Sequence, residues 1–146
     1  MTKTPTQLHP AVEKSLAIWH SFIERNDLGA LDTIVHPDAV FRSPMAFKPY
    51  GPAPALILAL QTVATIFKDF TYHRQFGSGD GLSVVLEFSA TVGEKQLKGV
   101  DMIRFDEEGR IVEFEVMIRP LNALQTLGAE MGARLGQYLP AYKVNG

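Results

Sequence analysis

A chain of 146 residues, 46% apolar and 21% charged, is long enough for one domain with a real core and has the make-up of an ordinary water-soluble globule. Its formal charge of −2 and its scattered Lys and Arg residues, which form no run, exclude the electrostatic footprint of a nucleic-acid binder or of a protein drawn to anionic lipid. The absence of cysteine excludes disulfides, thiolate nucleophiles and cysteine-ligated metals.

The opening MTKTPTQLHP is polar and lacks the apolar core of a signal peptide. The most apolar run, Ala55 to Leu60, is too short to span a bilayer. A cytoplasmic protein with no membrane partner is therefore expected. Residues 1 to 7 read as a loose tail. From Leu8 to Asn26 the spacing of Val12, Leu16, Trp19 and Ile23 predicts an amphipathic helix, broken at Asp27-Leu28-Gly29. A short second helix over Ala30 to Val35 must stop before Pro37, because the residue preceding a proline is pushed out of the helical region. Asp38 to Met45 reads as a first strand. The prolines and glycine of Pro44 to Pro54 make a loop, and Pro54 suits the first turn of the next helix, where its missing N–H costs nothing.

That helix, Ala55 to about Phe67, is apolar on most sides and is expected to be sandwiched between other elements. Strands follow at Phe70 to Phe76 and Leu82 to Val92, the latter with Val84, Leu86, Phe88 and Ala90 in phase. Leu97 to Pro120 reads as a hairpin turning at Asp106 to Gly109. After Pro120 a final helix runs to about Leu139. Gly128, Gly132 and Gly136 recur on one of its faces, each costing a helix about 1 kcal/mol relative to alanine. The stripe marks either a close approach by another backbone or a frayed, loosely packed helix. The sheet, the pocket mouth or a second subunit could receive it. No linker or repeat interrupts the chain, so residues 1–146 are expected to form a single α+β domain with antiparallel pairing.

The hairpin carries the chemistry. Its first strand alternates, with Leu97, Asp101, Ile103 and Phe105 in one phase. If Ile103 and Phe105 face a core with Phe114 and Val116, so does Asp101. A carboxylate there must be paired or protonated, because an isolated buried charge is very costly. Desolvation raises its pKa, and a protonated carboxyl can donate to a substrate oxygen. The alternative is a structural acid that bonds a buried indole or backbone N–H; a pocket role is favoured. Other patterns carry less. Gly77-Ser78-Gly79 opens no helix and reads as a hairpin turn rather than a phosphate loop. His9, His20, His36 and His73 show no metal-ligand spacing, and no GxSxG nucleophile elbow occurs. Arg104 shares an outward phase with Glu113 and Glu115, which fits a solvated cross-strand ion pair.

Trp19, the segment His36 to Pro44 and the run Gly99 to Ile111 together resemble the nuclear transport factor 2-like superfamily, and within it SnoaL-like proteins, with ketosteroid isomerases as relatives. The resemblance implies a curved antiparallel sheet wrapped by N-terminal helices into a cone, a pocket inside, and frequent homodimers through the sheet; the final helix is an extension that could cap the cone. Asp101 matches the isomerases' protonated oxyanion donor, and Trp19 matches the helix-one tyrosine that shares the oxyanion. Ser43, before Pro44, stands where the isomerases carry their aspartate base, and a serine cannot take that role at neutral pH without an activator.

The expected fold is thus a cone with a deep apolar pocket. Trp19 and Asp101 are the candidate catalytic residues. Phe41, Ser43, Leu86, Ile103, Phe105, Phe114, Val116 and Ile118 are the candidate ligand-binding lining. No metal or cofactor is expected. The expected partner is a small apolar molecule with a carbonyl or hydroxyl aimed at Asp101, and a second copy of the chain. Three functions stay open: an isomerase- or cyclase-like acid/base enzyme, a non-catalytic binder using the same pocket, and an interaction module whose pocket is filled.

Overall fold

The computed structural model describes residues 7–135. The expected loose tail over its first six residues, and the end of the final helix with Gly136, lie outside that range. The first helix, α1, spans Pro10–Arg25. His9 caps it, its ring accepting from the Ala11 N–H at 3.3 Å, and Pro10 occupies the first turn. Val12, Ser15, Leu16, Trp19 and Phe22 form its buried face. A short 3₁₀ turn, Leu31–Ile34, replaces the predicted second helix, and strand β1 runs Val35–Arg42. Helix α2 covers Ala53–Ile66, with Pro54 in its first turn. Strands β2 (Lys68–Gly77), β3 (Ser83–Val92), β4 (Lys95–Phe105) and β5 (Ile111–Arg119) follow, and helix α3 spans Leu121–Leu135.

The strands form one curved sheet in the order β1-β5-β4-β3-β2. The meander β2 to β5 is antiparallel, as the hairpin turns require. The edge pair β1–β5 is parallel, so the sheet is mixed where a wholly antiparallel one was expected. No tight turn joins β1 to β5, so their direction is set by the crossover through α2 and not by hairpin chemistry. α2 packs across β1 and against α3.

Two features of the sheet position the site. The β4–β5 turn lies against the start of α1: a Cβ added at Gly109, which has φ 84°, would run into the Ala11 carbonyl. The N-terminal half of α1 therefore closes the end of the cone where Ile103 and Phe105 sit. In addition, the β4–β5 register shifts between Arg104 and Phe105, so Ile111 is buried opposite Phe105 and Val112 is only half-buried. On the convex face Glu87 is held by Arg74 (2.6 Å) and Lys98 (3.2 Å). The Arg74 hydrogen bonds, opposed by desolvation, bring its carboxyl down to about 2. Arg104 does stand opposite Glu113 in the register, but that carboxylate turns to Arg42 on β1 instead, at 3.2 Å.

Candidate active site

A cavity of about 410 Å³ opens between the concave face of the sheet and the three helices. α1 contributes Trp19, Ile23 and Asn26; β1 and its loop contribute Phe41, Ser43, Met45 and Tyr50. The sheet supplies Tyr72, Asp101, Phe114, Val116 and Ile118, and α3 supplies Leu127, Gly128, Met131, Gly132 and Leu135. That size suits a small organic molecule, and most of the lining is apolar.

Of the residues expected at the site, Trp19, Phe41, Ser43, Asp101, Phe114, Val116 and Ile118 are brought together around this cavity. Leu86, Ile103 and Phe105 are not: each is about 1% exposed and belongs to the packed core with Val12 and Leu16. They point inward, but into the end of the cone that α1 fills. Asp101 sits at the boundary, with the packed end on one side and the open cavity on the other.

The polar centre is a chain of hydrogen bonds. The Trp19 Nε1–H donates to the Tyr72 hydroxyl at 3.0 Å, and that hydroxyl donates to Asp101 Oδ2 at 2.6 Å. An indole N–H can only donate, so Tyr72 accepts from Trp19, and with Asp101 ionised its one proton goes to Oδ2. A phenol oxygen can accept twice, so a protonated Asp101 can hold its proton on Oδ2 toward Tyr72 or on Oδ1, an atom with no described protein partner. Asp101 is 5% exposed. Burial pushes its carboxyl up to about 7, partly offset by the Tyr72 hydrogen bond. Tyr72 is itself pushed well above the usual phenol range, first by burial and then by the adjacent Asp101 charge. Rings pin this centre: Trp19 packs edge-on against Phe114 (5.3 Å), and Tyr72 stands edge-on to His20 (5.4 Å) and Phe70 (4.9 Å).

Tyr72 was not anticipated. Its signal was available, because a buried carboxylate needs a donor and Tyr72 shares a strand phase with Phe70. What hid it is distance along the chain: it reaches Asp101 from β2, two strands away in the sheet order. Ser43 lines the cavity, but its hydroxyl accepts from the Met45 N–H at 3.0 Å and has no described acid or base beside it. The two described glycines of the stripe, Gly128 and Gly132, line the cavity. A Cβ at Gly128 would meet Met45 at 2.6 Å, whereas one at Gly132 would meet nothing within 4 Å. Among the described residues no three His, Cys, Asp or Glu side chains converge as a metal site would require, and no helix is long and apolar enough to cross a membrane.

A model of the SnoaL-like domain matches residues 16–114. Among solved structures, a steroid delta-isomerase from Pseudomonas aeruginosa is 61% identical, with a TM-score of 0.87, covering 91% of this chain and 97% of that one. A protein with a cystatin-like fold from Silicibacter pomeroyi is 29% identical, with a TM-score of 0.79 over 89% of this chain and 88% of that one. The epoxide hydrolase/cyclase-like enzyme SalBIII of salinomycin pyran-ring formation shares the fold at 16% identity, with a TM-score of 0.62 over 76% of this chain and 92% of that one. Among curated proteins none matches significantly.

Proposed function

The chain belongs to the SnoaL-like domain family, and on that premise we propose that it is an isomerase- or cyclase-type enzyme doing acid/base chemistry on an apolar carbonyl compound, with Asp101 as the proton-bearing group. The observation that carries this reading is a buried carboxyl on the cavity wall, anchored through Oδ2 by Tyr72 and behind it Trp19, with Oδ1 left to meet a ligand. A carboxyl titrating near 7 is half protonated at neutral pH, the range in which a side chain transfers protons best. A carbonyl oxygen set against Oδ1 receives a hydrogen bond that strengthens as negative charge builds on that oxygen in the transition state. Phe41, Phe114, Val116 and Ile118 hold the apolar body. Trp19 acts as a positioning residue, since its one N–H is engaged by Tyr72. The change is a proton shift with no net redox: Asp101 polarises the carbonyl while a water admitted to the cavity takes the proton from the α-carbon and returns it at the γ-carbon, so no electron-carrying cofactor is needed. The similarity to a steroid delta-isomerase supports a flat, fused-ring ketone as the substrate class.

The test is conversion of a β,γ-unsaturated ketosteroid to its conjugated isomer, followed by the absorbance of the product enone. The wild-type chain turns it over, and Asp101→Asn loses roughly 10²- to 10⁴-fold in rate while keeping its fold. Equal rates in the two proteins would rule the reading out. One observation favours a second reading, a binder without turnover. Ser43 supplies no group able to take a proton from carbon at neutral pH. In that case the ketone binds saturably and no product forms.

A further inference from the structure

The described non-glycine residues with positive φ are two, Asn26 at 49° and Asp69 at 54°, and both line the cavity. Left-handed backbone is uncommon outside glycine, and Asn and Asp are the side chains that tolerate it. Asn26 is the left-handed cap of α1. Asp69 lies where the β2–β3 register is irregular, between Lys68 and Thr71. The two share one end of the cavity. The His9 N–H donates to the Gly81 carbonyl at 2.9 Å, which fixes the start of α1 beyond the far end of β2. The end of α1 therefore falls beside the start of β2. Asn26 stands seven residues past Trp19, on the same helix face and about 10 Å along the axis. Asp69 stands three residues before Tyr72, about 10 Å along the strand. Between this end and Asp101 the lining is apolar, with Ile23, Leu60, Val63 and Phe67. The Thr71 hydroxyl bonds only the Asp69 carbonyl (3.4 Å), and among the described residues the Asp69 carboxylate enters no ion pair.

We propose that Asn26 and Asp69 are the specificity pair of the cavity mouth, receiving a hydroxyl at the far end of an elongated apolar substrate whose carbonyl meets Asp101. Both residues line the cavity and are exposed, which sets their short polar side chains at its rim, and the apolar span between the two polar ends sets the length of the molecule that fits. The substrate class narrows to rigid, elongated ketones polar at both ends. The proposal rests on the reading of Asp101 given above, and its test is separable from the test of that reading.

Trp19 is the single tryptophan and lines the cavity, so its fluorescence reports ligand entry. Wild type, Asp69→Gly and Asn26→Gly are each titrated with testosterone and with the same ketone lacking its ring-D hydroxyl. Glycine keeps the left-handed backbone and removes only the side chain. The wild-type protein is expected to prefer the hydroxylated probe by roughly three- to tenfold, the value of a hydrogen bond at a partly wet rim. Asp69→Gly removes most of that preference and Asn26→Gly a smaller part. A merely loosened mouth weakens both probes alike and leaves the ratio intact. An unchanged ratio in Asp69→Gly, or no preference in the wild type, overturns the proposal, while turnover by Asp101 is judged separately by the isomerisation assay. No fluorescence change with either probe in the wild type likewise overturns the proposal and leaves the reading of Asp101 to the isomerisation assay.

Discussion

Asp101 combines a function with a cost. Its folded pKa of about 7 lies above the roughly 3.9 of an unfolded aspartate. Between those values the native state holds a proton that the unfolded state releases. The group's contribution to stability is therefore fully present below about pH 4 and is lost as pH rises through about 7. By pH 8 the native chain carries an ionised buried carboxylate, at a cost of about 2–4 kcal/mol. Asp101→Asn, which can still accept from Tyr72, should be near neutral for stability at pH 4 and more stable than wild type by about that amount at pH 8, read by urea unfolding at the two pH values. A gain independent of pH would count against a raised pKa. That Asp101 points inward was legible from alternation alone, because Ile103 and Phe105 share its phase. Tyr72 was not legible, because alternation reports the face of a strand and not which side chain on a distant strand completes a hydrogen bond. Leu86, Ile103 and Phe105 show the same limit. Inward phase does not separate a filled end of a cone from an open one.

At the scale of elements, β4 depends on a missing side chain. A Cβ at Gly99 would lie 2.5 Å from the Met117 carbonyl oxygen and 2.7 Å from the Phe88 ring. Gly99→Ala should destabilise the protein by about 1–3 kcal/mol, because backbone cannot yield as a flexible side chain can. The glycines of α3 differ from one another. Gly132→Ala meets open space and should stabilise the helix by up to about 1 kcal/mol, whereas at Gly128 the gain is opposed by contact with Met45. Thermal or urea unfolding of the three variants checks the order. The hairpin β4–β5 and the helices α1, α2 and α3 were readable because periodicity is local, whereas the short helix read at Ala30 to Val35 is a 3₁₀ turn. The parallel β1–β5 edge and the bulge at Arg104–Phe105 were not, since both depend on pairing between segments far apart in sequence.

The whole molecule is a cone closed at one end by α1 and open at the other beneath α3. Its convex face carries an apolar row in register, Phe76 opposite Val85 and Val85 opposite Met102, with Met117 49% exposed beside it. The homodimer implied by the resemblance would cover such a face. Native mass spectrometry should show a dimer, and Met102→Glu, which sets a carboxylate opposite Glu115, should shift it toward monomer. A wild-type monomer at micromolar concentration would leave that face unexplained. If a protonated Asp101 serves the reaction, the pH dependence of kcat/KM for the β,γ-unsaturated ketosteroid carries its titration, because that profile reports the essential groups of the free enzyme. The rate should be level at low pH and fall through about 7, and the midpoint should move upward in Tyr72→Phe, which loses the hydrogen bond that lowers the Asp101 pKa. A rate that rises through that range, or a midpoint indifferent to Tyr72, would mean that Asp101 does not act as the protonated group.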